Sequence, residues 1–425
     1  MSGLYQIHRS RLIQLFLLTL AVWAANYFRY ALGPLQETMR ADLGMTDHAM
    51  SWLQGPAVEL PMAIFAIPLG LMLDRSSKAK LFWIFTSLGM AALLVMSFST
   101  NLVVIFASRA IVGIAKVTLL IAAYAVVADL YPPAQRGRAT MVVALGEIGG
   151  ASSAFAIGGS VLTHLAGQTA GTDVWRQSIM WMMIPIALAA ICTTLIRAPG
   201  ASEKNQTRIT DIWPSLWRYK EVMMPLMAAR SMVWAGEGAI FVWGAPALSR
   251  AYAASPAEVG AIMGGAVFIA GLAGPLLGGL LADFCQKHGG PRTTMSALSG
   301  LALICAPIAT FSIAPSLSTA AVLLTLFLTL GYVFGTAALT LGTIVMPSAL
   351  RGVYLAVTNT VAAICMGLAP LFVTALSEPP NNLGIGKALA IICCVTSIIG
   401  AFVFGWSRKH FTEASIPAEP QMSNV

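Results

Sequence analysis

The chain is a succession of apolar runs, each roughly 20–27 residues long, separated by short polar segments. A helix of that length crosses about 30 Å of hydrocarbon. Backbone in hydrocarbon must satisfy its own hydrogen bonds, which leaves a bundle of spanning helices or a closed barrel. Barrel strands would be about ten residues long with alternating polarity, and the runs lack that pattern. Composition points the same way: 57% of the residues are hydrophobic and 10% charged, against about 25% charged in a soluble domain.

Twelve runs are expected to cross the membrane, near 12–37, 50–73, 80–99, 102–128, 139–163, 177–197, 222–247, 257–282, 294–313, 320–346, 353–377 and 384–407. The first follows basic residues as a signal peptide would, but it is too long for one and more spans follow, so it is expected to be retained. Five of the six cysteines fall inside the runs and Cys285 just beyond one, without C-x-x-C spacing, so neither a disulfide framework nor a metal site is expected. No cofactor is expected either. Asn205-Gln206-Thr207 matches a glycosylation acceptor, in a segment expected to face the cytoplasm and stay unmodified.

Of the 25 Lys and Arg, 17 fall in segments on the side of the two termini. Four lie on the other side (Arg40, Arg176, Arg250 and Lys387) and four inside spans (Arg29, Arg109, Lys116 and Arg230). Cationic loops stay in the cytoplasm, so both termini are placed there. The net charge of +8 then reflects topology and calls for no nucleic acid.

The longest polar interruption, 198–221, divides the chain into halves, 1–197 and 222–407, with a tail at 408–425. The halves echo each other. "PLGLMLD" ends at Asp74 and "LLGGLLAD" at Asp283, an offset of 209 that also relates Thr46 to Ser255 and Gly55 to Gly264. Thr46 and Ser255 suit helix N-caps. "YPPAQRG" at 131–137 and "MPSALRG" at 346–352 share P-x-A-x-R-G. Duplicated halves place a transporter's site between them, near the midplane.

"GLMLDRSSK" at 70–78 resembles the G-x-L-x-D-R-x-G-R loop of the major facilitator superfamily, departing at Met72, Ser77 and Lys78. "GLLAD" at 279–283 resembles its second copy, and Arg109 with Gly113 the R-x-x-x-G of its fourth helix. Within the superfamily, "NYFRYALGPL" and "LGMTDHAMSWLQGPA" are most similar to the spinster-like and anion:cation symporter branches. The resemblance implies an all-α membrane protein of two pseudo-symmetric six-helix halves. It implies that spans one, four and seven line a central cavity. It also implies a gate in which Asp74 meets the start of span eleven near Gly352, with Arg75, Arg136 and Asp283 as the other gate residues. The glycines at 146, 149, 150, 158, 159, 271, 274, 278 and 279 are expected to be packing surfaces.

The charges within spans are expected to carry the function, because each costs at least ~2.5–3.5 kcal/mol at the bilayer centre. They are Arg29, Arg109, Lys116, Arg230, Glu59, Glu147 and Glu237. Arg109 and Lys116, two turns apart, share a helix face to within about 20°. Arg230 and Glu237 repeat that spacing. Arg29 and Glu59 are each 15 residues from Gly44, hence level on adjacent helices. Lys116 and Glu237 fall near the midplane, one from each half, and are expected to attract each other. Glu147, near the cytoplasmic surface, fits a structural role. The resembled branches carry an acid before the arginine of span one and another where Lys116 stands. This chain has Phe28 and Lys116 there, so a proton would have to ride on Glu59 or Glu237.

The expectation is therefore a monomeric secondary transporter of a bacterial inner membrane, moving a small or amphipathic organic anion by alternating access, with protons as a possible second partner. Arg29, Arg109, Lys116, Arg230 and Glu237 are its substrate residues. Two alternatives stand beside it, efflux of a lipid-like or drug-like amphiphile and a membrane sensor without flux. An enzyme is not expected: the five histidines lie at or beyond the span ends.

Overall fold

The computed structural model describes residues 2–168, 173–198, 217, 219–347 and 350–410. Most of the linker, including 205–207, and the tail from 411 lie outside the described residues. The first half contains α1 (Ser2–Tyr30), α2 (Gln36–Asp42), α3 (Asp47–Gln54), α4 (Pro56–Arg75), α5 (Lys78–Phe98), α6 (Leu102–Leu130), α7 (Pro133–Ala166) and α8 (Val174–Thr193). The second contains α9 (Lys220–Tyr252), α10 (Pro256–Ile308), α11 (Leu317–Val345), α12 (Arg351–Ser377) and α13 (Ile385–Ser407). Nine described helices are long and apolar enough to cross a membrane, and α4 and α9 are not among them. α10 holds two of the expected runs: helical geometry breaks at Gly289 and at Gly290, which takes φ 64°.

Local chemistry sets the helix starts. Thr46 Oγ1 accepts from the Ala49 amide at 3.1 Å and begins α3. Ser255, its counterpart 209 residues on, forms a reciprocal capping box with Glu258 and begins α10. Each half thus enters its second span through a capped turn, as the repeat suggested.

Contacts at the loops show which ends lie together. The Tyr131 hydroxyl donates to the Arg11 carbonyl at 3.1 Å, and the Arg197 amide to Gln14 Oε1 at 2.7 Å, both at the end where the described chain starts and stops. At the opposite end, called here the far end, Arg176 donates to the Ser97 and Ser99 carbonyls, each at 2.8 Å.

The halves meet through two equivalent crossings, α4 on α12 and α7 on α10. Small residues let the backbones touch: a methyl on Gly264 would come within 2.6 Å of the Ser152 carbonyl, and Ser152 Oγ already donates to the Gly264 carbonyl at 2.7 Å. Of the glycines expected to pack, all but Gly279 have neighbours where a side chain would stand. One apolar core runs through both halves and includes Tyr27, Phe155, Trp243 and Phe311. A second, around Phe334, Tyr354 and Phe404, belongs to the C-terminal half alone.

Gly264→Val should therefore lower the thermal midpoint in detergent, because overpacking a seam costs about 1–3 kcal/mol. Gly265→Ala, where a Cβ meets nothing within 4 Å, should leave the midpoint unchanged.

Candidate functional site

The charges within the spans occupy several tiers. Nearest the far end, Arg29 of α1 forms an ion pair with Glu59 of α4, the side chains 5% and 1% exposed. Their equal depth in the sequence brings them together. Gly367 of α12 leaves room for Glu59: a methyl there would lie 2.6 Å from Glu59 Cβ. The pair therefore sits on the α4–α12 crossing. The Arg29 guanidinium also lies 4.5 Å from the Tyr30 ring centroid, and Tyr30 stacks on Phe241 of α9 at 4.7 Å.

Arg109 of α6 is wholly buried, and its Nη2 donates to the Arg29 carbonyl at 3.0 Å. Arg109 and Lys116, expected on one helix face as substrate residues, stand in different surroundings in this conformation. Arg109 is covered by protein, while Lys116 is half-buried and lacks an ion pair among the described residues. Helix geometry puts Lys116 about 10 Å nearer the terminal end. In the other half, Arg230 of α9 donates to Asn359 Oδ1 at 2.8 Å and stacks 4.3 Å from the Trp234 ring. Glu237, two turns on, is 7% exposed, and its Oε1 has no hydrogen-bond partner. It fills the space that Gly331 of α11 leaves open. The expected attraction between Lys116 and Glu237 does not take the form of an ion pair among the described residues. Glu147 accepts from the Tyr124 hydroxyl at 2.9 Å.

A further cluster closes the far end, and the charge reading missed it. Arg250, at the end of α9, makes two forks: Nη1 and Nη2 to Asp47 at 2.6 and 2.8 Å, and Nη2 and Nε to Glu37 at 2.8 and 3.2 Å. Burial pulls the Arg250 pKa down, but the hydrogen bonds it donates to Asp47 and Glu37 push it further the other way, so the guanidinium stays charged. Just inside, Ser51 Oγ donates to the Pro370 carbonyl and accepts from Trp243 Nε1, both at 2.9 Å. The His48 amide donates to Glu378 Oε1 at 3.1 Å. All of these bonds join the first half to the second.

The terminal end differs. Arg136 Nε donates to the Tyr131 carbonyl at 2.9 Å, and Arg351 Nε to the Met346 carbonyl at 3.0 Å. This is one bond in two copies of P-x-A-x-R-G, each within its own half. Asp283 is exposed, and a side chain on Gly352 would meet nothing within 4 Å. The Asp74 and Arg75 side chains lie outside the described residues. The halves are thus joined at the far end, and the motif arginines at the terminal end bond within their own loops.

Two outcomes follow. Removing one partner of a buried ion pair strands the other at about 3–5 kcal/mol, so Arg29→Ala or Glu59→Ala alone should reduce folded yield more than the double variant. Additive losses in a double-mutant cycle would show separate roles. Arg250→Ala should loosen the far end. In a background without the six native cysteines, a reporter at Ala245→Cys should then react faster with a membrane-impermeant maleimide, and an unchanged rate would exclude the latch.

The comparisons with known proteins bear on the fold and the family. A family model described as Major Facilitator Superfamily matches residues 18–370. No curated protein sequence matches the chain. Among solved structures, it is similar to a bacterial homolog of the human lysosomal transporter Spinster in an inward-facing, unoccupied conformation. Identity there is 18%, the match covers 96% of this chain and 98% of that one, and the TM-score is 0.80. It is also similar to the nucleoside transporter NupG (15% identity, 93% and 98% covered, TM-score 0.67). A third similar structure is a D-xylose-proton symporter (15% identity, 92% and 97% covered, TM-score 0.70).

Proposed function

The chain belongs to the Major Facilitator Superfamily, and from that premise we propose that it carries an organic anion, bearing a carboxylate or phosphate, by alternating access. Lys116 carries this reading. It is half-buried at mid-depth and lacks an ion pair among the described residues, whereas Arg29 is neutralised by Glu59 and Arg109 is covered. A cation kept at that depth without a counter-charge is costly, and an anionic substrate supplies one. Arg230 is the second contact, since its Nε has no partner.

Twelve spans follow if α3 with α4 counts as one, α9 as another and the two parts of α10 separately. The excess of cations on the terminal side supports cytoplasmic termini in a bacterial inner membrane. The far-end latch then belongs to an inward-facing carrier, and we take the monomer as the working unit.

Glu237 is the proposed proton carrier. Glu59 is held by Arg29, but Glu237 has no ion-pair partner among the described residues, and a buried carboxylate without one is cheaper neutral than charged. Proteoliposomes test both roles. Carboxylates, sugar acids and phosphates are first screened by thermal shift, where a ligand at 100 times its Kd stabilises by about 2.7 kcal/mol. Lys116→Ala should abolish the shift given by the best anion. Glu237→Gln should keep exchange of labelled for unlabelled anion but lose accumulation driven by a pH gradient. A normal shift in Lys116→Ala would remove the anion reading, and gradient-driven accumulation in Glu237→Gln would remove the coupling scheme.

A further inference from the structure

A cavity of about 430 Å³ opens at the terminal end, where the second part of α10 begins and α13 stops. Arg292, Thr293, Ser296, Arg408 and Lys409 line it. Three of these are cations and two bear hydroxyls, and among its described lining residues there is no carboxylate. Nearby, an apolar groove of about 840 Å³ runs between α9, α12 and α13. Its walls include Met224, Met227, Val361, Phe402 and Trp406, with Lys220 and Glu221 at its terminal end.

Trp406 connects the two. It walls the groove, and Lys409 Nζ from the cationic cavity sits 4.9 Å from its ring centroid. Phe402, one helical turn deeper, is 70% exposed and Trp406 is 53% exposed, on a helix whose surroundings are hydrocarbon. A tryptophan at the boundary between tails and headgroups is at its preferred depth. The arrangement has an order: cations at the rim, an aromatic ring at the boundary, then an apolar trough about 6 Å further along the helix axis.

We propose that this is a binding site for an anionic phospholipid of the adjoining leaflet. The headgroup phosphate rests among Arg408, Lys409 and Arg292, and one acyl chain lies past Trp406 and Phe402 in the groove. Charge complementarity selects the occupant, since basic pockets at this level of a membrane protein recognise acidic headgroups, and the trough accepts a chain of any lipid. The site faces the bilayer, and neither Lys116 nor Glu237 lines it. It therefore stands whether or not the transported anion is as proposed.

The test uses the full chain in nanodiscs containing a fraction of phosphatidylglycerol or phosphatidylcholine brominated on the acyl chain, which quenches tryptophan on contact. Subtracting the signal of Trp406→Phe isolates Trp406 from the other nine tryptophans. Brominated phosphatidylglycerol should quench Trp406 at least twofold more than brominated phosphatidylcholine. In Arg408→Gln/Lys409→Gln, which alters exposed side chains, that preference should vanish while the melting midpoint in phosphatidylcholine stays unchanged. Equal quenching by both lipids in the wild type would overturn the proposal, as would a preference that survives in the double variant. Inorganic phosphate that removes the preference would assign the cavity to a free anion. Failure of both lipids to reach Trp406, with a doubled mass in the nanodisc, would assign the face to a second copy of the chain.

Discussion

The buried ion pair between Arg29 and Glu59 organises the centre of this molecule. It lies where α4 crosses α12, so a single electrostatic contact inside one half forms part of the surface on which the other half rests. Hydrocarbon gives it this weight, because a lone charge there has no water to fall back on. Glu59 is held level with Arg29 by the capped turn at Thr46 and by the bend at Gly55. Arg109 in turn donates to the Arg29 backbone. Three helices of the first half are thereby fixed before any substrate arrives.

What remains unpaired is then informative. Lys116 and Glu237 stand at mid-depth on helices of opposite halves, each without an ion pair among the described residues. Under the proposed function, an anionic substrate neutralises the first and a proton the second. The contrast between Glu59, held by an arginine, and Glu237, set against a glycine, separates two acids that look alike in the sequence.

Much of the frame was legible in the sequence for identifiable reasons. Run length fixed the membrane class, and the P-x-A-x-R-G repeat marked a bond that recurs in both halves. Counting from Gly44 put Arg29 level with Glu59, because the mostly helical chain on either side of Gly44, α1 with α2 and α3 with α4, rises by the same amount per residue. The Arg250 latch was not legible. Its partners lie 213 and 203 residues away, and loop charges carry no depth information. Arg109 looked equivalent to Lys116 because periodicity gives the face a residue occupies and says nothing of what covers that face. The pairing of Lys116 with Glu237 rested on depth alone, and depth fixes one coordinate of three.

Arg250 bonds Glu37 and Asp47 through a single guanidinium, and both acids belong to the same half. Its four hydrogen bonds cannot be released one at a time by sliding, because the planar group leaves both forks together. Arg40, 3.4 Å from Asp47 and 3.6 Å from Glu37, stays behind with the acids and keeps them from facing each other bare. At this joint the far end is built as a snap rather than a zipper: both forks part together, whereas the Ser51 and His48 bonds to the second half can be released one by one.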